Sequence, residues 1–65
     1  MKIIYKDFYG TYSITQRRDG TATLRCRNAT TGSLDVFKKY KTVQGAKRAL
    51  SMYCDGMPFE IKTIK

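Results

Sequence analysis

The sequence has no His and no Trp, a single Pro, two Cys, and only five Asp and Glu against thirteen Lys and Arg. Without His the usual general base near neutral pH is missing, and so is the side chain that completes most zinc sites. Cys26 and Cys54 stand far apart and form no CxxC pair, so no metal site is expected. In a reducing compartment they are expected as two small buried hydrophobes with no disulfide, while export would leave one disulfide open. Long apolar runs are also missing. The start, Met1-Lys2-Ile3-Ile4-Tyr5-Lys6-Asp7, offers three apolar residues in a row, whereas a signal peptide needs roughly 7–15 and a membrane span about 20. A soluble, cytoplasmic chain is the expectation.

Length narrows the field further. A 65-residue chain makes one small domain, expected to span residues 1–65, that buries only about 60% of its unfolded surface. A core that thin leaves no room for an enclosed cofactor, and none is expected. Catalysis has little to draw on. The acids Asp7, Asp19, Asp35, Asp55 and Glu60 are scattered, and Asp19 and Asp55 are explained by a turn and a helix end. No G-x-S-x-G, P-loop or paired-carboxylate pattern occurs, so a non-enzymatic role is expected.

What the chain has in excess is positive charge, with a formal net +8 and a pI near 9.8. A polyanionic partner follows, nucleic acid first, with an acidic protein next and an anionic membrane surface set aside.

Periodicity then supplies the elements. Lys2–Tyr5 reads as a short strand. After Gly10, Thr11-Tyr12-Ser13-Ile14-Thr15-Gln16-Arg17 alternates apolar and polar residues in the period-2 pattern of a half-buried strand. Arg18-Asp19-Gly20 makes a hairpin turn, because Asp-Gly tolerates positive φ. The return strand, Thr21 to Asn28, puts Ala22, Leu24 and Cys26 on one face and Thr21, Thr23, Arg25 and Arg27 on the other. After Thr30-Thr31-Gly32-Ser33, a third meander strand runs from Leu34 through Val36 toward Tyr40. The period then changes. Val43, Ala46, Leu50 and Tyr53, with Ala49 beside them, follow helical spacing. Thr42 is expected as the N-cap and Gly56 as the left-handed C-cap. Residues 59–65 read as a final strand able to pair with Lys2–Tyr5. The expected fold is α+β, in the order β-β-β-β-α-β: a three-stranded antiparallel meander packed by one helix from the C-terminal half, with short terminal strands.

Because one helix covers one face, the other stays open. On it are expected Thr11, Ser13, Thr15, Arg17, Thr21, Thr23, Arg25, Arg27 and Lys39, with Asp35 as the lone acid. Arg, with its planar fork, suits phosphate and guanine edges. Arg18, Lys38, Lys41, Lys47 and Arg48 gather around turns and the helix start, where phosphate contacts are expected. Phe8, Tyr9 and Phe37 are expected in the core rather than stacked on bases.

Gly10-Thr11-Tyr12, the Asp19-Gly20 hairpin, the basic strand that follows, and Lys41-Thr42 opening a helix with Ala46 and Ala49-Leu50 resemble a known module. It is the amino-terminal, arm-type DNA-binding domain of tyrosine integrases from phages and conjugative transposons. The resemblance covers about residues 10–55 and implies a three-stranded sheet, backed by one helix, placed in the major groove. By position it implies DNA-facing roles for Thr15, Arg17, Thr23, Arg25, Arg27 and Lys39. Where that family often has Gly-Phe before the helix-start Thr, this chain has Tyr40-Lys41. The implied role is duplex-DNA binding as an accessory protein of a phage or mobile element. Residues 41–49 are also similar to the basic helix start of double-stranded-RNA-binding domains. That family needs a preceding helix, however, and residues 1–10 read as strand. The alternative class is a non-catalytic interaction module, engaging an acidic partner through its sheet edge or basic face, with a homodimer open.

Overall fold

The computed structural model describes all 65 residues. It comprises β1 (Lys2–Lys6), β2 (Gly10–Gln16), β3 (Ala22–Asn28), β4 (Leu34–Tyr40), α1 (Val43–Cys54) and β5 (Phe59–Ile64). All five strands join one antiparallel sheet in the order β4-β3-β2-β1-β5. This is the α+β arrangement expected, with the terminal strands paired and β1 extending the meander to four strands.

Short polar residues set the turns. Between β1 and β2, Asp7 Oδ1 accepts the backbone N–H groups of Tyr9 and Gly10 at 2.8 and 3.0 Å, and the Tyr12 hydroxyl at 2.8 Å. Gly10 is required there, because a Cβ would collide with the Arg27 carbonyl on the neighbouring strand. In the β2–β3 turn Asp19 Oδ1 accepts from the Thr21 amide and hydroxyl, and Gly20 takes φ +88°. Asn28 Oδ1 organises the β3–β4 loop through the Thr30 and Thr31 amides.

The helix begins as expected. The Thr42 hydroxyl accepts the Gly45 amide at 2.9 Å, a cap whose loss costs about 0.5–2 kcal/mol. Its end differs by one residue. Asp55, not Gly56, takes the left-handed conformation (φ 54°, ψ 48°), and the Gly56 amide closes on the Ser51 carbonyl at 2.8 Å. Asp tolerates that region because its short polar side chain bonds locally, which makes it a workable substitute for Gly.

Cross-strand partners show which residues share the helix-facing side. One row carries Ile3, Ile14, Leu24 and Lys38, and the next carries Tyr5, Tyr12, Cys26 and Val36. Ala46 and Leu50 press onto this surface, and both are fully buried with Ile14 and Ala22. Val43 and Ala49 pack at the margin. Tyr53, expected inside, is 52% exposed and meets Tyr12 edge-on with ring centroids 6.3 Å apart. The helix lies across β2, β3 and β4, and Ile3 and Tyr5 of β1 are buried in the same core as Ala46 and Leu50.

The aromatics are the main departure. Phe8, Tyr9 and Phe37, expected in the core, are 90%, 76% and 59% exposed. Phe8 and Tyr9 sit in the β1–β2 turn, where Tyr9 only borders the cavity at the C-terminal end of α1, and Phe37 falls on the uncovered face by strand alternation.

If Leu50 is the main helix anchor, Leu50→Ala lowers stability by about 2–5 kcal/mol, while Met52→Ala, on the exposed side of the same helix, changes it by about 0.5 kcal/mol or less. Urea unfolding of the two variants checks this. Similar losses in both would place the anchor elsewhere.

Candidate functional site

The uncovered face is organised as three rows, each running across all five strands. Beside the β2–β3 turn the row reads Ile64, Lys2, Thr15, Thr23 and Lys39 from β5 to β4. The middle row reads Lys62, Ile4, Ser13, Arg25 and Phe37. The third reads Phe59, Lys6, Thr11, Arg27 and Leu34. Six cations therefore share this face: Lys2, Lys6, Arg25, Arg27, Lys39 and Lys62. Each has only hydroxyl-bearing or apolar cross-strand neighbours, so no two cations stand directly opposite, the arrangement that would destabilise the sheet.

No carboxylate shares the face. Asp35, expected as its lone acid, is the extra residue where the β3–β4 register shifts between Cys26 and Arg27. That irregularity turns it away, to line a cleft with Cys26 and Tyr53, where it accepts the Ser33 hydroxyl at 3.0 Å. Glu60 pairs with Tyr5 on the helix side and accepts from Thr63 at 2.9 Å. Asp7 and Asp19 are engaged in turns, and hydrogen bonds from Thr21 hold the Asp19 carboxyl below its usual range. None of these four carboxylates takes its hydrogen bonds from Lys or Arg, and Asp19 is near enough to Lys39 and Arg17 for their charges to lower it further.

Two of the arginines are held in place. Arg27 donates to the Gly32 carbonyl at 2.6 Å, linking β3 to the loop that follows. Arg25 lies over the Phe37 ring, 4.9 Å from its centroid, a cation–π contact between register partners. Thr23 stands on the same face but is only 6% exposed. It forms the floor rather than a contact, which removes it from the DNA-facing set expected of it.

The structure divides the expected site residues. Thr15, Arg25, Arg27 and Lys39 share the open face around Thr23. Arg17 and Arg18, in the β2–β3 turn, reach the end of it and border a depression with Lys2, Thr15 and Arg25. Lys41 sits in the bend before α1. Lys38 lies in a helix-side row opposite Leu24, and Lys47 and Arg48 belong to α1, so all three are on the other side of the sheet. Three open-face cations were missed: Lys2, Lys6 and Lys62. The alternation of Lys2, Ile4 and Lys6 against Ile3 and Tyr5 carried that information, but Ile4 on the cationic side masks it.

A second cluster lies on the helix side, where Asp7, Tyr12, Cys26 and Cys54 help line a cavity of about 280 Å³. Both cysteines are free. Burial pushes the Cys26 thiol up to about 11, and it also raises Cys54 and, together with the bond to Asp7, Tyr12. These groups stay protonated at neutral pH, and protonated thiols are poor nucleophiles.

A pH dependence follows. Cys26 titrates at about 11 when folded against 9.0 ordinarily, so at alkaline pH the folded state keeps a proton that the unfolded chain has released. Stability is then fully present below about pH 9 and declines toward about pH 11, with Tyr12 adding to the decline above about pH 10. Urea midpoints across that range check it, and Cys26→Ala should flatten the first part of the slope. A constant midpoint would contradict the burial of these groups.

No protein-family model, no curated protein and no solved structure matches this chain.

Proposed function

We propose that the chain binds nucleic acid, duplex DNA foremost, by laying its open sheet face against the phosphate backbone. One observation carries the reading: six cations share a face from which register and bulges exclude every carboxylate. Such a surface attracts a polyanion from any direction and releases its counterions on contact.

The width of the face favours the backbone over the groove. Five strands about 4.8 Å apart make a surface roughly 19 Å across, wider than the major groove at about 12 Å. The module this chain resembles has three strands, and here β1 and β5 widen the sheet. Phosphate contact therefore dominates this reading, with Arg25 as the side chain best placed for base edges. An accessory role on a phage or mobile element rests on the resemblance.

A second reading has its own support. Between α1 and the edge strand β4 runs an apolar cleft lined by Val36, Tyr40, Ala49 and Met52, beside Lys38 and Lys39. An extended acidic segment could pair with β4 and place an apolar side chain there. Backbone pairing of that kind responds little to salt, so one titration separates the two.

Titration of a labelled duplex over a range of salt concentrations tests the proposal. The expected log–log slope is about −5, for six phosphate contacts at roughly −0.9 each. Arg25→Ala should reduce its magnitude by about one, while the pair Lys47→Ala and Arg48→Ala on the helix side should leave it nearly unchanged. Absence of binding at low salt, or a flat salt response, would overturn the reading.

A further inference from the structure

At the end of the open face nearest the β2–β3 turn lies a depression of about 520 Å³, bordered by Lys2, Thr15, Arg17, Arg18, Arg25 and Phe37. Its volume is that of a small-ligand site. Four of these residues are cations, and none of the residues around the depression is acidic. None of the four is among the side chains hydrogen-bonded within the protein, where Arg27 is the one cationic donor. Four like charges converging on one hollow repel one another, and a phosphate placed among them relieves that repulsion and accepts paired hydrogen bonds from a guanidinium.

Phe37 gives the hollow a second chemistry. Its ring is 59% exposed on a face that also carries Ile4, Leu34, Phe59 and Ile64 among its cations, and it alone of these apolar residues borders the phosphate hollow with Arg25, which lies 4.9 Å from its centroid. A solvated phenyl ring contributes nothing to a core. It offers a π surface, and the Arg25 guanidinium plane offers another. Paired bases inside a duplex present edges to a protein, because their faces are covered by the neighbouring pairs. A blunt end exposes just the outer face of its last pair, whereas an unpaired nucleotide can turn its base face to Phe37 and bring its own phosphate to the arginines together.

The geometry points to a site for one unpaired nucleotide, its base stacked on Phe37 and its phosphate held by Arg17, Arg18 and Lys2. The inference rests on the nucleic-acid reading and names the form of that ligand: a duplex carrying a short single-stranded extension. The sheet rows then hold the duplex backbone, and the turn end of β2 and β3 receives the first nucleotide beyond the last base pair. Thr15 adds a hydroxyl at the rim, and buried Thr23 supplies the floor.

The test compares a short blunt duplex with the same duplex bearing a single-stranded extension, both at low salt, on the wild-type chain and on Phe37→Ala and Phe37→Tyr. Wild type should prefer the extended duplex by about tenfold, the lower part of the range for one stacked base. Phe37→Ala should remove that preference, bringing the ratio of the two affinities to about one, and Phe37→Tyr should retain it. Since Phe37 is exposed, both variants should fold, and their circular dichroism spectra check this. Equal wild-type affinity for the two duplexes, or a preference unchanged in Phe37→Ala, overturns the unpaired-nucleotide site while the phosphate-binding reading stands. Failure of both duplexes to bind overturns both readings.

Discussion

Ala46 and Leu50 pressed against Ile14, Ala22 and Leu24 are the contact on which the rest of this structure depends. A twelve-residue helix supplies one apolar stripe, and that stripe can cover one side of the sheet over β2, β3 and β4. Strand alternation then decides where everything else goes. Each residue paired into the helix-side rows is apolar or nearly so at the centre, and its chain neighbours are delivered to water. The open face is therefore a direct consequence of having one helix, and its chemistry is whatever the alternate positions of five strands contain.

Those positions contain cations separated by threonine, serine and isolated apolar residues. The spacing reconciles two opposing demands. Concentrated positive charge strengthens attraction for the polyanion proposed as partner, while an isolated sheet loses from like charges placed opposite one another. Interleaving Thr11, Ser13, Thr15 and Thr23 between the basic strands lets six cations share a face without a directly opposed pair. Segregation of the acids completes the arrangement. Asp7 and Asp19 satisfy turn amides, Asp55 ends the helix, and the two register shifts set Asp35 and Glu60 on the helix side.

Much of this was legible before the fold was known. Alternation through Tyr12 and Ile14, and through Ala22, Leu24 and Cys26, identified the buried face of β2 and β3, because these strands are regular and half-buried. The helix and its Thr42 cap were legible from spacing and cap chemistry. What stayed hidden lies where regularity breaks. The bulge at Asp35 reverses the side a simple count assigns to it. Ile4 faces outward and disguises Lys2 and Lys6 as flanks of an apolar run. Phe37 looked like core because aromatic residues in thin domains are normally recruited there, yet no element covers its side of the sheet. The depression bordered by Arg17, Arg18 and Phe37 joins a turn to four strands, β1 to β4, and pairing register alone brings those together.

The central claim is that the partner meets the uncovered sheet and not the helix. Amide chemical-shift mapping during titration with a short duplex at low salt tests this most directly. The account predicts the largest changes at Lys2, Ser13, Arg25, Arg27 and Lys39, with α1 from Gln44 to Ser51 nearly silent. Changes concentrated on α1, or no changes at all, would contradict it.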